Sequence, residues 1–168
     1  MMSKAALPAL VLLIASWASA GAQTAPAARP TPGPPPAAFH VAINPTSLAG
    51  LPRVTISATD EAGHTNKYTG VSLHDLLVRA GAPTGEPVRG KAMLGYIEIS
   101  ASDGYHVLFT LPELDPSYTD HIAVIADSVD GAPFTATGPY RLIVPFDKRQ
   151  ARWVRNMTAV DLQNAPEP

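Results

Sequence analysis

The chain has 168 residues, with 12 Lys and Arg against 14 Asp and Glu for a formal charge of −2, and it contains no cysteine. That length points to one domain, large enough to bury a core without covalent staples. The missing Cys excludes disulfides, thiolate zinc sites, iron–sulfur ligation and a Cys nucleophile. The near-zero charge argues against a nucleic-acid partner held by a general electrostatic field.

Residues 1–22 read as a secretory signal peptide. Lys4 supplies a short positive region, Ala5 to Trp17 forms an apolar run, and small residues at Ala18-Ser19-Ala20 and Ala20-Gly21-Ala22 offer two cleavage sites. The apolar run has 13 residues and contains Pro8, against about 20 residues needed to span a bilayer. Cleavage is therefore expected to leave a protein with no membrane association. The start Met1-Met2-Ser3-Lys4 has no Arg pair, so it lacks the twin-arginine address. The expected route is export as an unfolded chain to a periplasmic or secreted location. Residues 23–38 hold six Pro and almost no bulky apolar group, the composition of a semi-extended spacer. Residues 39–163 are the expected folded domain, and 164–168 a loose tail.

Within the domain, short β-like runs alternate with turn signals. Phe39–Ile43 alternates and stops at Asn44-Pro45, and Arg53–Thr59 is β-branched with period two. A polar turn follows over residues 60–66. Further strands are expected at Leu94–Ser100, Tyr105–Thr110, His121–Ala126, Tyr140–Val144 and Trp153–Leu162. Asp103-Gly104 suits a tight hairpin turn between two of them. The main helix is expected over Ser72–Ala80, with Ser72 as N-cap and Asp75 in capping-box position. Leu73, Leu76, Leu77 and Ala80 give it one apolar face, and Gly81 and Pro83 stop it. A second helical turn is expected at Thr110–Leu114, capped by Thr110 with Pro112 in its first turn. These elements predict an α+β domain built on a mixed sheet, with one main helix and short helical turns.

The chemistry-bearing residues are few. His40, His64, His74, His106 and His121 show no metal-ligand spacing, which reads as surface or structural use. His74 is expected on the exposed face of the helix. No nucleophile elbow, phosphate loop or catalytic carboxylate pair is present, and Asp60, Glu61, Asp127 and Asp130 flank turns as solvated charges. The basic residues are unevenly placed. Arg141, Lys148, Arg149, Arg152 and Arg155, five of the 12, fall within fifteen residues of an otherwise acidic domain. Guanidinium forks suit phosphate or carboxylate, and Trp153 offers a flat face beside them. Two readings stay open on this pattern: an anion site, or a solvated strand–turn–strand edge whose charges discourage edge pairing.

Several segments together resemble a known family. Tyr68-Thr69-Gly70-Val71-Ser72-Leu73-His74-Asp75-Leu76-Leu77, closed by Ala80-Gly81, resembles the "W-x-G-V-x-L-x-D-x-L…AG" segment of sulfite-oxidase-type molybdopterin-binding domains. Ser102-Asp103-Gly104-Tyr105 is similar to the strand pair that follows it there. Ile122–Ala126 with Asp130-Gly131-Ala132-Pro133-Phe134 resembles the "LLAY…NGEPL" stretch. Gly138–Pro145 resembles "G-x-P-V-R-L-V-V-P", and Ala151–Arg155 resembles the closing "A-R-x-V-K-W". The resemblance covers residues 52–162.

It implies a sulfite-oxidase-like fold and, at full strength, a molybdopterin-dependent oxidoreductase module, possible cofactor molybdopterin, with a periplasmic redox partner. It places Arg141 at the arginine that reaches the pterin and Arg155 at the phosphate-side lysine, with Arg152, Trp153 and Lys148 around them. This sequence also departs from the pattern. The molybdenum-ligating Cys of the strand matching Arg53–Thr59 is replaced at Ala58 or a neighbour, and soft thiolate ligation has no substitute in Ala. The pterin-binding His is replaced by Ala136 or Thr137, and the final Trp by Asn156. The expectation is a domain of this fold with no cofactor and no molybdenum, binding a small anionic ligand or a partner through Arg141, Arg152 and Arg155 on one concave face, Trp153 beside them and Lys148 at the rim. A structural adaptor domain is the remaining alternative.

Overall fold

The computed structural model describes residues 34–166. The expected signal peptide, and the expected spacer as far as residue 33, lie outside the described residues. The described chain is mostly β, with nine strands and three short helices. The strands are β1 (Phe39–Ala42), β2 (Arg53–Thr59), β3 (Thr65–Ser72), β4 (Gly95–Ala101), β5 (His106–Thr110), β6 (Val124–Val129), β7 (Ala132–Pro133), β8 (Arg141–Ile143) and β9 (Met157–Asn164). The helices are α1 (Pro45–Leu48), α2 (Leu73–Arg79) and α3 (Leu111–Leu114).

Two sheets form. One has the order β1-β9-β4-β5, and the other runs β2-β3-β6, with β7 and β8 both pairing with β6. All pairings among the described residues are antiparallel. This corrects the expected mixed sheet. Parallel neighbours need long crossovers, whereas β2–β3, β4–β5 and β6–β7 are joined by short turns. Asp103-Gly104 makes the β4–β5 turn as expected, with Gly104 at φ 83° and the Tyr105 N–H donating to Asp103 Oδ1 at 3.0 Å. Asp130 and Gly131, both at positive φ, turn β6 into β7, a conformation that suits Asp-Gly.

The period-two runs become strands where burial alternates. β4 reads buried and half-buried in strict alternation, and Ile97 and Ile99 have no exposed surface. β3 was not expected, because Asn66, Lys67, Tyr68 and Thr69 offer a single bulky apolar side chain. Its tie to β2 and β6 on both edges makes it a strand nonetheless. The strand expected at His121–Ala126 lies further on, at Val124–Val129, in register with β3 from Ser72 opposite Val124 to Tyr68 opposite Val129. His121 is left in the preceding loop, stacked on Phe146 with ring centroids 4.3 Å apart. The final strand starts at Met157 rather than Trp153 and reaches Asn164, one residue into the expected tail. Gly70 sits where β3 slips register against β6. A Cβ there would collide with the Ile125 carbonyl, so only glycine fits.

α2 matches its expected span. Leu73, Leu76 and Leu77 are buried in the core with Ile97, Phe109, Ile125, Leu142 and Val160, and Gly81 follows at φ 97°. The expected capping box does not form, since Ser72 makes no side-chain cap bond. Ser72 is the last residue of β3, paired with Val124 of β6, and the first helical N–H, that of Leu73, donates to the Ala123 carbonyl at 2.9 Å. α3 is held by Glu113, which accepts the Thr110 N–H at 2.7 Å.

Asp115, 2% exposed, ties the loop after α2 to α3 by accepting the Gly85 and Ser117 N–H groups at 2.7 and 2.8 Å. Burial pushes its carboxyl up, but the bonds from Ser117 and Gly85 outweigh burial and hold it below the ordinary carboxylate range. Asp127, expected to be solvated, pairs bidentately with Arg53, and that pairing holds its carboxyl low despite partial burial.

Leu76→Ala should lower unfolding free energy by about 2–5 kcal/mol, as expected for truncating a sealed core leucine, measured by urea denaturation. For Asp115 and Asp127 the folded-state pKa lies below the unfolded value of about 3.9. Their contribution is therefore complete above that pH and is lost as pH falls through the folded values. Unfolding free energy should drop below about pH 4, and Arg53→Ala should flatten part of that drop.

Candidate anion-binding site

The five clustered basic residues sit in three different environments. Arg141 opens β8 opposite Ala126. From β8 the Leu142 N–H donates to the Val154 carbonyl at 2.8 Å, and just before β8 the Tyr140 carbonyl accepts the Met157 N–H at 3.0 Å. That stitching brings Arg155 to the same cavity as Arg141. The cavity has a volume of about 550 Å³, and its walls include Asn66, Tyr68, Phe134, Thr137, Arg141 and Arg155.

Arg141 is half-buried, with its guanidinium carbon 5.5 Å from the centre of the Phe134 ring, a cation–π distance. It makes no hydrogen bond or ion pair with any described residue, and its Nε is buried without a partner. Burial is the main reason its pKa is lowered; nearby Tyr68, Asp60 and Glu61 act in the opposite sense and Arg155 adds to the lowering. A buried, unpaired donor costs free energy unless a partner arrives. Arg155 is exposed and likewise has no acceptor among the described residues.

Carboxylates share this cavity, and most are engaged elsewhere. Asp60 accepts the His64 N–H at 2.9 Å and the Asn66 amide at 3.1 Å, bonds that hold its carboxyl below the ordinary range, the His64 N–H foremost. Asp130 accepts the Lys67 N–H at 2.9 Å. Glu61 is exposed.

Lys148 and Arg149 are exposed and line a second cavity of about 540 Å³, which shares Asp60, Glu61 and Gln150 with the first. Two expected members do not join the site as expected. Arg152 turns to Asp147, with Nε and Nη2 donating at 2.8 and 2.7 Å, and to Glu113 at 3.1 Å. It also lies 4.2 Å over the Phe109 ring. The two carboxylates hold it firmly protonated, and it is a packing residue rather than an anion ligand. Trp153 is absent from the Arg141–Arg155 cavity and only borders the second one, beside Lys148 and Arg149. It is 6% exposed, edge-on to Tyr68, with its Nε1–H donating to the Val144 carbonyl at 2.8 Å.

Asn66, Tyr68, Phe134 and Thr137 were not singled out as site residues. Tyr68 and Phe134 lie inside the family-like motifs, which was the available signal. His74 is half-buried rather than exposed and lines a separate cavity with His121, while His106 is exposed on β5 against Glu98 at 2.9 Å.

The donor set does not fit a thiolate-anchored metal. Ala58 is buried at 5% and lines the second cavity between Ser57 and Thr59, so a methyl group stands where the resemblance would place sulfur. Hydroxyls, amides, carboxylates and cations line both cavities, and a soft molybdenum centre calls for sulfur. No protein-family model matches this chain, and no curated protein matches it.

Arg152→Ala should destabilise the fold by about 2 kcal/mol, because charged hydrogen bonds to Asp147 and Glu113 are lost. It should leave anion titrations unchanged. Thermal melts and calorimetry on the same variant separate the two effects.

Proposed function

We propose that this is an exported protein whose domain, of sulfite-oxidase-type molybdopterin-binding kind, works without molybdenum and binds a small anionic ligand in the Arg141–Arg155 cavity. The observation that carries the reading is Arg141. Its guanidinium is half-buried, and among the described residues its Nε has no acceptor and no carboxylate pairs with it, Asp60 and Glu61 acting on it only at longer range. Arg152, paired with Asp147 five residues away and with Glu113 39 residues away, supplies the contrast within the same cluster. A protein that needed Arg141 only for stability would be expected to pair it in the same way. The second cation, Arg155, lines the same cavity and raises the local positive potential. The absence of sulfur around Ala58 supports a cofactor-free mode of action. Export rests on the reading of residues 1–22.

Binding follows from simple chemistry. An oxyanion entering the cavity gives the Arg141 Nε–H the acceptor it lacks and releases water from a partly desolvated cation. A charge-assisted hydrogen bond of this kind is worth about 1.5–3 kcal/mol. Calorimetric titration with phosphate and with pterin phosphates should therefore show Arg141→Ala binding about ten- to a hundredfold more weakly than wild type. Lys148→Ala, at an exposed position, should cost under about 1 kcal/mol. Equal or absent binding in wild type and Arg141→Ala would reduce the basic cluster to a solvated edge.

A further inference from the structure

Tyr68 is a second buried donor in the same cavity. It is 2% exposed, yet its phenol group has no acceptor among the described residues. The one hydrogen bond to its oxygen is a long one, 3.5 Å, received from the Asn66 amide. That amide is otherwise engaged at 3.1 Å with Asp60. The Tyr68 ring is fixed on two sides, edge-on to Trp153 at 5.6 Å and stacked on Phe134 at 6.5 Å between centroids. Tyr68 comes from β3 and Arg141 from β8, and both side chains line the first cavity.

A buried hydroxyl normally finds an acceptor. Here two donors held by separate strands share one cavity and neither has one. We infer that Tyr68 is the second anion donor of this site, reading an oxyanion headgroup together with Arg141. This rests on the anion-binding reading of the cavity and adds the second residue that holds the ligand. Two acceptor oxygens of one headgroup satisfy the guanidinium and the phenol together. The rigid ring spends little rotational freedom on binding, which favours such a preorganised contact.

The test uses sulfate and methyl phosphate as probes with wild type, Tyr68→Phe and Arg141→Ala. Phenylalanine keeps the ring contacts to Trp153 and Phe134. Tyr68→Phe should bind sulfate at least about tenfold more weakly than wild type, the loss of one charge-assisted bond. Methyl phosphate, which also presents two acceptor oxygens, should show the same loss in Tyr68→Phe. In wild type, saturating sulfate should red-shift tyrosine ultraviolet absorbance, a readout that needs no variant to fold. Sulfate binding that is lost in Arg141→Ala but unchanged in Tyr68→Phe, or the absence of the red shift, overturns the role of Tyr68 and leaves the site standing. Failure of both anions to bind in an Arg141-dependent way overturns the anion site itself.

Discussion

Three backbone hydrogen bonds join the end of one sheet to the start of the other: Leu142 N–H to Val154, Met157 N–H to Tyr140, and Asn156 N–H to Thr137, at 2.8–3.1 Å. They form where β8 leaves β6 and the chain turns into β9, and Asn156 adopts φ 48° to make that turn. Asparagine tolerates the left-handed region better than most residues. The placement of both cavity cations follows from this seam. It fixes Arg141 on one side and Arg155 on the other, with Leu142 and Val154 sealed in the core between them. With no cysteine in the chain, the seam and the packing around it hold without a covalent link.

The two sides of the basic cluster illustrate how burial changes the meaning of a charge. Arg152 has two carboxylates and an aromatic ring around it, so removing it would leave Asp147 and Glu113 facing each other unneutralised. Such a pair is a structural commitment. Arg141 has an aromatic ring but no carboxylate partner, and its strongest influence is desolvation. One arginine is locked into the fold. The other is held in readiness, and the phenol of Tyr68 shares that condition.

Local pattern made much of the fold legible. β2, β4 and β5 followed from alternation, α2 from its leucine spacing, and the β4–β5 turn from Asp-Gly. What could not be read locally depended on distant partners. β3 exists because β2 and β6 flank it, and its own side chains do not announce a strand. Ser72 was drawn into the ladder opposite Val124, far along the chain, and makes no cap bond. At the site, Arg141 and Arg155 were visible as charges within a motif, but the fate of Arg152 was decided by Glu113, 39 residues away. Trp153 carried the right chemistry for stacking and was buried by Tyr68 and Val144 instead. Charge and aromaticity were legible; accessibility depended on the tertiary fold.

The pairing of β1 with β9 has a practical consequence. Phe39 lies opposite Leu162, and the Asn164 amide donates to the Pro36 carbonyl at 2.8 Å. The folded unit is thus clipped shut where its polypeptide comes in and goes out. A module with adjoining ends of this kind can be spliced into a surface loop of a host protein without prising that loop apart. It can also be rewired, its old ends joined by a few residues and new ones opened at an exposed turn such as Asp103-Gly104.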